Sequence, residues 1–413
     1  MNAQHLTAIL ALGFASAAAA APGDLDASFN GTGFVADTSH VEPRADGVCL
    51  DSAGRIVVAG NRRLGSNSQW QAVLGRFGST GALDAAFGWR QAGVAAPMPQ
   101  IPSLLCAGSS YALTSLEFIS TANYGVRLDV FPASGASGVS HWLGGQGLIS
   151  SNPRVALTAP IANRFLVGPT TSGTPGVRTA TLQRWDGDGL PALSYQGNWT
   201  GPSGGLSQYT DAYTDANGNV FVVGRRVDAA TQGVDAMVSS FNASGVLRGS
   251  FGSGGTVTLA TAADDFGQRI ARSAFNGWTY IGITELSATS NPRVRVLRIT
   301  SAGSVDTNFN GNGVYTADAE LGDIIEDNQG RLLVVGNKTG GAAFVRRLLS
   351  NGNLDTTFGI GGERVYGFGS ISARFGGVTL DAMGRIVLVG HRNSAVRGGV
   401  TVAEALIVAR LVP

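Results

Sequence analysis

Nine residues recur along this chain in nearly the same form: LDASFNGTG at 25–33, LDAAFG from 83, LRGSFGSGG from 247, VDTNFNGNG from 305 and LDTTFGIGG from 354. A second pattern recurs with it in fixed order, as LDSAGRIVVAG (50–60), YTDANGNVFVVG (213–224), IEDNQGRLLVVG (325–336) and LDAMGRIVLVG (380–390). A third is a strand-like run ending in arginine and a large apolar residue, at Arg76-Phe77, Arg184-Trp185, Arg298-Ile299, Arg347-Leu348 and Arg410-Leu411. Ordered recurrence of this kind means that one supersecondary unit is copied, and that each copy buries its apolar face against the next.

The second pattern sets the count. Its turn glycine falls at Gly54, Gly218, Gly277, Gly330 and Gly384, a repeat of about 55 residues. Gly54 and Gly218 stand three such repeats apart, which places worn copies near 109, in CAGSSYALTS, and near 163, in ANRFLVG. Asn163 stands where the other copies have glycine, and asparagine is among the few residues that tolerate a left-handed turn position. The total is seven repeats.

Each repeat reads as four short strands. In the first they are VCLD (48–51), RIVVAG (55–60), QAVLGRF (71–77) and a fourth near Gly93–Ala96. RIVVAG and its copies are continuous apolar runs, which suits strands covered on both faces. Helical periodicity is absent, and 60 glycines with 44% hydrophobic and only 14% charged residues describe turns and buried strands. The expectation is an all-β fold, a seven-bladed β-propeller of four-stranded blades formed as a single domain by residues 22–413. Four strands per unit favour this over a solenoid. The last repeat supplies GVTLD, RIVLVG and AEALIVARL before Pro413, so Gly33–Asp37 is expected to complete the last blade as its fourth strand.

The combination of GxLDxxFG, DxxGRIVVAG and a run ending in arginine and an aromatic residue resembles the delta-60 repeat family of bacterial exported proteins. The resemblance covers nearly all of the chain after residue 21. It is strongest in blades 1, 4, 6 and 7 and worn in blades 2, 3 and 5; SGVSHWLGG (137–145) and LPALSYQGN (190–198) stand in for LDxxFG in the second and third, with Trp142 in the phenylalanine slot. It implies a propeller and brings no reaction, substrate or catalytic residue with it.

Residues 1–21 read as a secretory signal, an apolar stretch from Leu6 to Phe14 followed by alanines, although no lysine or arginine precedes it. An exported protein, periplasmic or extracellular, is expected. No later segment reaches the roughly 18 apolar residues of a membrane span. A net charge of +1 gives no bulk reason to expect nucleic acid as a partner.

The recurring aspartates (Asp26, Asp84, Asp306 and Asp355; Asp51, Asp215, Asp327 and Asp381) read as turn residues rather than calcium ligands, because aspartate opening a tight turn bonds the backbone two residues on. Asp186–Gly189 falls short of a calcium loop and is also read as a turn. The leucine and phenylalanine of LDxxFG are expected to pack between adjacent blades. The histidines are scattered and no Cys-x-x-Cys occurs, so no metal and no cofactor are expected. Cys49 and Cys106 lie one repeat apart in first strands; they form either a disulfide or two buried small apolar residues.

One repeated feature is not demanded by such a fold. Two residues past the second strand stand Arg62, Arg226, Lys338 and Arg392, where the worn blades have Glu117, Thr171 and Glu285. Either these cations form an arc that grips an anionic group, or they pair with acids of the same face, among them Glu42, Asp264, Asp265, Glu320 and Asp323. No constellation of acid, base and nucleophile remains over. The leading expectation is therefore a non-catalytic exported binding or scaffold protein, its partner an anionic glycan, another small ligand or a protein. The alternative is a propeller-type enzyme acting on a sugar or small polar substrate at the central channel.

Overall fold

The computed structural model describes residues 20–65, 69–96, 102–120, 123–146, 156–161, 164–168, 170–172, 178–186, 191–198, 207–228, 231, 233–287, 290–370, 372–397 and 400–413. The signal assignment for residues 1–19, the turn at Asn163 and residues 187–189 lie outside them. Among the described residues the regular structure is strand, apart from one 3-10 turn at Phe309–Gly311.

The strands form consecutive antiparallel sheets in chain order. Val41–Leu50, Ile56–Arg63, Trp70–Phe77 and Trp89–Ala96 make the first of them. Leu104–Ala107, Ser110–Ser120, Asn123–Pro132 and Val139–Gln146 repeat the order, as do Ser207–Thr214, Val220–Val227, Val234–Phe241 and Thr256–Leu259. Ala156–Ile161, Arg164–Gly168, Arg178–Asp186 and Pro191–Asn198 do the same, with the short strand Thr170–Ser172 added. The strand Val314–Glu326 serves two sheets: its first half pairs with Ser290–Ile299 and its second half with Leu332–Lys338. Asp264–Arg272 and Thr279–Ser287 precede it, and Ala343–Leu348 and Glu363–Tyr366 follow. Ala373–Leu380, Ile386–Arg392 and Ala405–Leu411 form the last, and its fourth strand is Phe34–Asp37, paired antiparallel from Phe34 opposite Ala409 to Asp37 opposite Leu406. The extended N-terminal segment reinforces this seat: Leu25 bridges Leu411, and the Gly23 amide donates to the Val412 carbonyl at 2.9 Å.

The second strands show why the apolar runs are continuous. Successive side chains of a strand point to opposite faces, and here both faces are covered. Ile56 and Val58 pack with Val387, Val389 and Leu406 of the last sheet, while Val57 and Ala59 pack with Tyr111 and Leu113 of the next. The core is therefore divided among the spaces between neighbouring sheets. The phenylalanine of each LDxxF fills one of them: Phe29, Phe251, Phe309 and Phe358 are fully buried and Phe87 nearly so. The leucine position of the motif bridges the backbone of the third strand from the rim of the sheet and is less buried: Leu25, Leu247 and Val305 are partly buried against the cores, while Leu83 is 42% and Leu354 37% exposed. In SGVSHWLGG the motif has become strand, with Trp142 paired opposite Arg127 in Val139–Gln146 rather than set in a turn.

The aspartate turns follow the local chemistry of short acidic side chains. Asp51 Oδ1 accepts from the amides of Ala53 and Arg55 at 3.0 and 2.9 Å, and Asp327 and Asp381 repeat the bonds two and four residues on. Gly54 follows at φ +72°, in the left-handed region that a side chain would strain.

The third-strand arginine has a function that the repeat spacing did not disclose. Arg76 Nε donates to Asp84 at 2.9 Å, Arg298 to Asp306 at 2.9 Å, Arg347 to Asp355 at 2.7 Å and Arg410 to Asp26 at 2.8 Å. Each guanidinium lies over the phenylalanine of the same motif, 4.5 Å from Phe87, 5.1 Å from Phe309, 4.6 Å from Phe358 and 4.9 Å from Phe29. Three reach onward to a carbonyl of the next repeat: Arg76 to Ala133, Arg298 to Ser350 and Arg410 to Ser79. A planar cation that bonds a carboxylate at one edge and stacks on an aromatic face suits arginine and not lysine.

Candidate functional site

The first strands carry a shared irregularity. Their pairing with the second strands slips by one residue, at Asp46, Thr210, Gln268, Gly322 and Gly376. A bulge turns the strand and re-aims the side chains beside it. It also explains the glycine that ends VVxG-type runs, since a Cβ at Gly60, Gly224, Gly336 or Gly390 would collide with the carbonyl of Arg44, Gln208, Glu320 or Arg374 on the slipped strand.

Below the bulges the first strands enclose a cavity of about 450 Å3. Its walls take apolar side chains from successive sheets, including Val48, Leu104, Leu157, Ile270, Ile324 and Val378, and it runs to the turn residues Ala274, Phe275 and Asn328. Five acids line it (Asp46, Asp211, Asp323, Glu326 and Asp327) against one base, Arg272.

Most of that charge is already engaged. Asp211 accepts the amides of Ala212 at 3.0 Å and of Ile270, in the next sheet, at 3.1 Å. Asp323 accepts those of Ile324 at 2.9 Å and Val378 at 3.1 Å, and Arg269 Nε at 3.1 Å. These carboxylates stitch one first strand to the next. Arg269, nearly buried, continues to the Gly376 carbonyl at 3.3 Å. Asp327 holds Arg331 at 2.7 Å. Burial raises the Glu326 carboxyl above its ordinary 4.5, against the bonds it accepts from the Ser273 hydroxyl and the Ala274 amide. Arg272 stacks 4.7 Å from Phe221 and donates to Thr279 at 2.8 Å. Asp46 is only 6% exposed, and among the described residues it has no hydrogen-bond donor or ion-pair partner.

The basic residues singled out in the sequence do not line this cavity. Arg226 is held by Asp235 at 3.0 Å and Lys338 by Glu363 at 2.7 Å. Arg392 donates to the carbonyls of Ala403 and Phe368. Arg62 alone of the four keeps a buried Nε without a partner among the described residues. Arg226, Lys338 and Arg392 thus each have a partner of their own; the acid opposite Arg226 in register is Asp235, a cross-strand neighbour and not a loop residue of an adjoining blade. Asp211 and Arg269 are residues that the sequence does not single out, and Asp323, read there as a possible partner of the repeated cations, instead accepts from Arg269 and from the amides of Ile324 and Val378; the bulge that aims them leaves no mark in the repeat spacing.

Cys49 and Cys106 are joined in a disulfide, their Cα atoms 5.8 Å apart, within the roughly 4.4–6.8 Å that a bridge allows. The bond clips the first strands of two consecutive sheets beside the cavity. Thiol titration of the protein unfolded without reductant is expected to find no free thiol; two free thiols would remove the bridge.

Among the described residues no group of three or more potential ligands could hold a metal ion, and no helix is long and apolar enough to cross a membrane.

An all-β chain of successive four-stranded antiparallel sheets, with its N-terminal strand seated in the last, has the architecture of a β-propeller. The sequence model of a β-propeller domain of unknown function, DUF5122, matches residues 330–358. No curated protein matches the chain. Among solved structures it is similar to an acylaminoacyl peptidase of Pyrococcus horikoshii, with 9% identity, 89% of this chain and 52% of that one covered, and a TM-score of 0.46. The chain thus spans about half the length of that peptidase. It is also similar to the α-L-arabinanase of Penicillium chrysogenum complexed with arabinobiose (10% identity, 92% and 96% covered, TM-score 0.45). A third is the β-propeller domain of the trilobed protease of Pyrococcus furiosus, described as having an open velcro topology (8% identity, 85% and 90% covered, TM-score 0.43).

Proposed function

We infer that the protein is an exported, non-catalytic binding propeller of seven blades, closed by its N-terminal strand, which takes a small ligand in the axial cavity. Support for the ring comes from the first strands, each packed on the next and Val41–Leu50 packed on Ala373–Leu380. The disulfide fits an oxidising compartment outside the cytoplasm. The observation that carries the binding reading is the division of labour among the charges. The repeated arginines and aspartates are spent on tying sheets together, while the axial cavity of about 450 Å3 sets its charged groups, most of them already engaged, among apolar walls, and its volume falls in the range of about 300–1,000 Å3 of ligand pockets.

Residues 22–413 are to be presented with a panel of glycans and small metabolites, with binding read by calorimetry and turnover by product analysis. Binding without turnover is expected, abolished by Asn328→Trp, which fills the mouth of the cavity from an exposed turn. Conversion of a glycoside or other small substrate would favour a propeller-type enzyme at the same channel. Binding unchanged in Asn328→Trp, or no binding at all, would remove the cavity as the site.

A further inference from the structure

Three aspartates approach the axis from first strands, and they are not equivalent. Asp211 and Asp323 each follow the bulge by one residue, which turns them onto the amide of the next first strand. In Val41–Leu50 the bulged residue is itself the aspartate, and Gly47 occupies the stitching position. A Cβ at Gly47 would press on Leu104 and Ala59, so a larger residue has no room there. The one-residue displacement leaves the Asp46 carboxylate against the backbone of Gly376, without a donor among the described residues, while it lines the cavity.

A buried carboxylate with neither donor nor counter-charge is costly, and the groups around Asp46 do not relieve it. Burial pushes the pKa of His391 down to about 4 against the pull of Asp46, so the imidazole is neutral at pH 7. Arg44 and Arg374, which lower His391 further, are engaged elsewhere: Arg44 lies 5.1 Å from the Trp70 ring, and Arg374 donates to the Leu321 carbonyl and lies 3.8 Å from Glu320. Arg269 is taken by Asp323 and Gly376.

We propose that Asp46 is the anchor of a site for a small organic cation, an ammonium or guanidinium carried on an apolar body, which enters the axial cavity with its charge leading. The charged head meets Asp46 at the depth of the bulges, and the hydrocarbon lies along Val48, Leu104, Leu157, Ile270 and Ile324. A bare metal ion fits poorly, since Asp211 and Asp323 have committed oxygens to amides and a single carboxylate offers too few ligands. The inference rests on the axial cavity being a binding site, and it adds the charge and class of the ligand.

The test uses residues 22–413 and three probes of one shape: cyclohexylmethylammonium, cyclohexylmethanol and cyclohexanecarboxylate. Calorimetry should show the ammonium binding at least about tenfold more tightly than the alcohol, the carboxylate not at all, and the preference weakening with added salt. Asp46→Asn keeps the shape and removes the charge; ammonium affinity should fall to that of the alcohol, while the apo variant melts no lower than the wild type. Equal binding of ammonium and alcohol by the wild-type protein, which requires no variant to fold, would overturn the proposal, as would ammonium binding unchanged in Asp46→Asn. An uncharged glycan blocked by Asn328→Trp, with no ammonium response, would sink the cation site and leave the binding reading standing. Silence from every ligand would sink both.

Discussion

A chain that begins at Ser39, lacking residues 22–38, is expected to lose its cooperative folded state. Phe34–Asp37 supplies the fourth strand of the last sheet, so its removal leaves the buried strand Ala405–Leu411 paired with Ile386–Arg392 on one side only, its other edge open to association with other chains. The deletion also takes away Phe29, which is completely buried against Val58, Phe77, Val387 and Leu406. A lost core phenylalanine alone costs about 3–5 kcal/mol. Asp26 goes with it, and it is the partner of Arg410 at 2.8 Å and of Arg385 at 3.3 Å. Arg410 is 3% exposed and would be left as an uncompensated buried cation, for roughly another 3–5 kcal/mol. Together these match or exceed the ~5–15 kcal/mol that hold an ordinary domain folded. The expected result is an insoluble protein, or a soluble one without a sharp thermal transition, partly restored by a synthetic peptide of residues 22–38. A truncated chain that melts as the full one does would show that the N-terminal strand does not hold the last sheet.

That strand was legible because a pattern missing at one end of the chain stood unpaired at the other, and counting repeats needs no side-chain partners. The four strands per unit and the buried phenylalanines followed from the same regularity. What stayed hidden depended on single-residue geometry. The bulge at Asp46, Thr210, Gln268, Gly322 and Gly376 carries no common residue type, yet it decides whether an aspartate stitches two strands or faces the cavity. The repeated cations at Arg62, Arg226, Lys338 and Arg392 looked like one feature because they recur in position. Their partners differ from sheet to sheet: an aspartate across the strand, a glutamate two strands away, backbone carbonyls. Recurrence in sequence reports a shared backbone position, and the partner of a long side chain is set by what else reaches that place.

Asp355 shows the same difference in energy. Read as a turn residue, it would lose about one side-chain-to-backbone bond on replacement by alanine, a cost near 1 kcal/mol. Its amide bond to Thr357 is there, at 3.1 Å, but its other oxygen receives Arg347 Nε at 2.7 Å, with the side chains only 6% and 1% exposed. Arg347 also has a buried Nη1 without a partner among the described residues, so Asp355 is the only carboxylate within ion-pair distance that compensates it. Asp355→Ala is therefore expected to destabilise the protein by about 3–5 kcal/mol, the range for breaking a buried pair by removing one partner. Adding Arg347→Met removes the stranded cation and keeps an apolar stem over Phe358, and should recover most of that loss. The pair has a pH signature as well. Burial alone would raise the Asp355 carboxyl, but bonds from Thr357 and the charge of Arg347 hold it below its ordinary 3.8. A depressed folded value means that the stabilisation is complete above 3.8 and fades as the pH falls through the lower folded value. Denaturant melts of the wild type, both single variants and the double variant at pH 7, repeated in acid, read each of these quantities. A loss near 1 kcal/mol for Asp355→Ala, or a double variant no more stable than the single one, would return Asp355 to a simple turn residue.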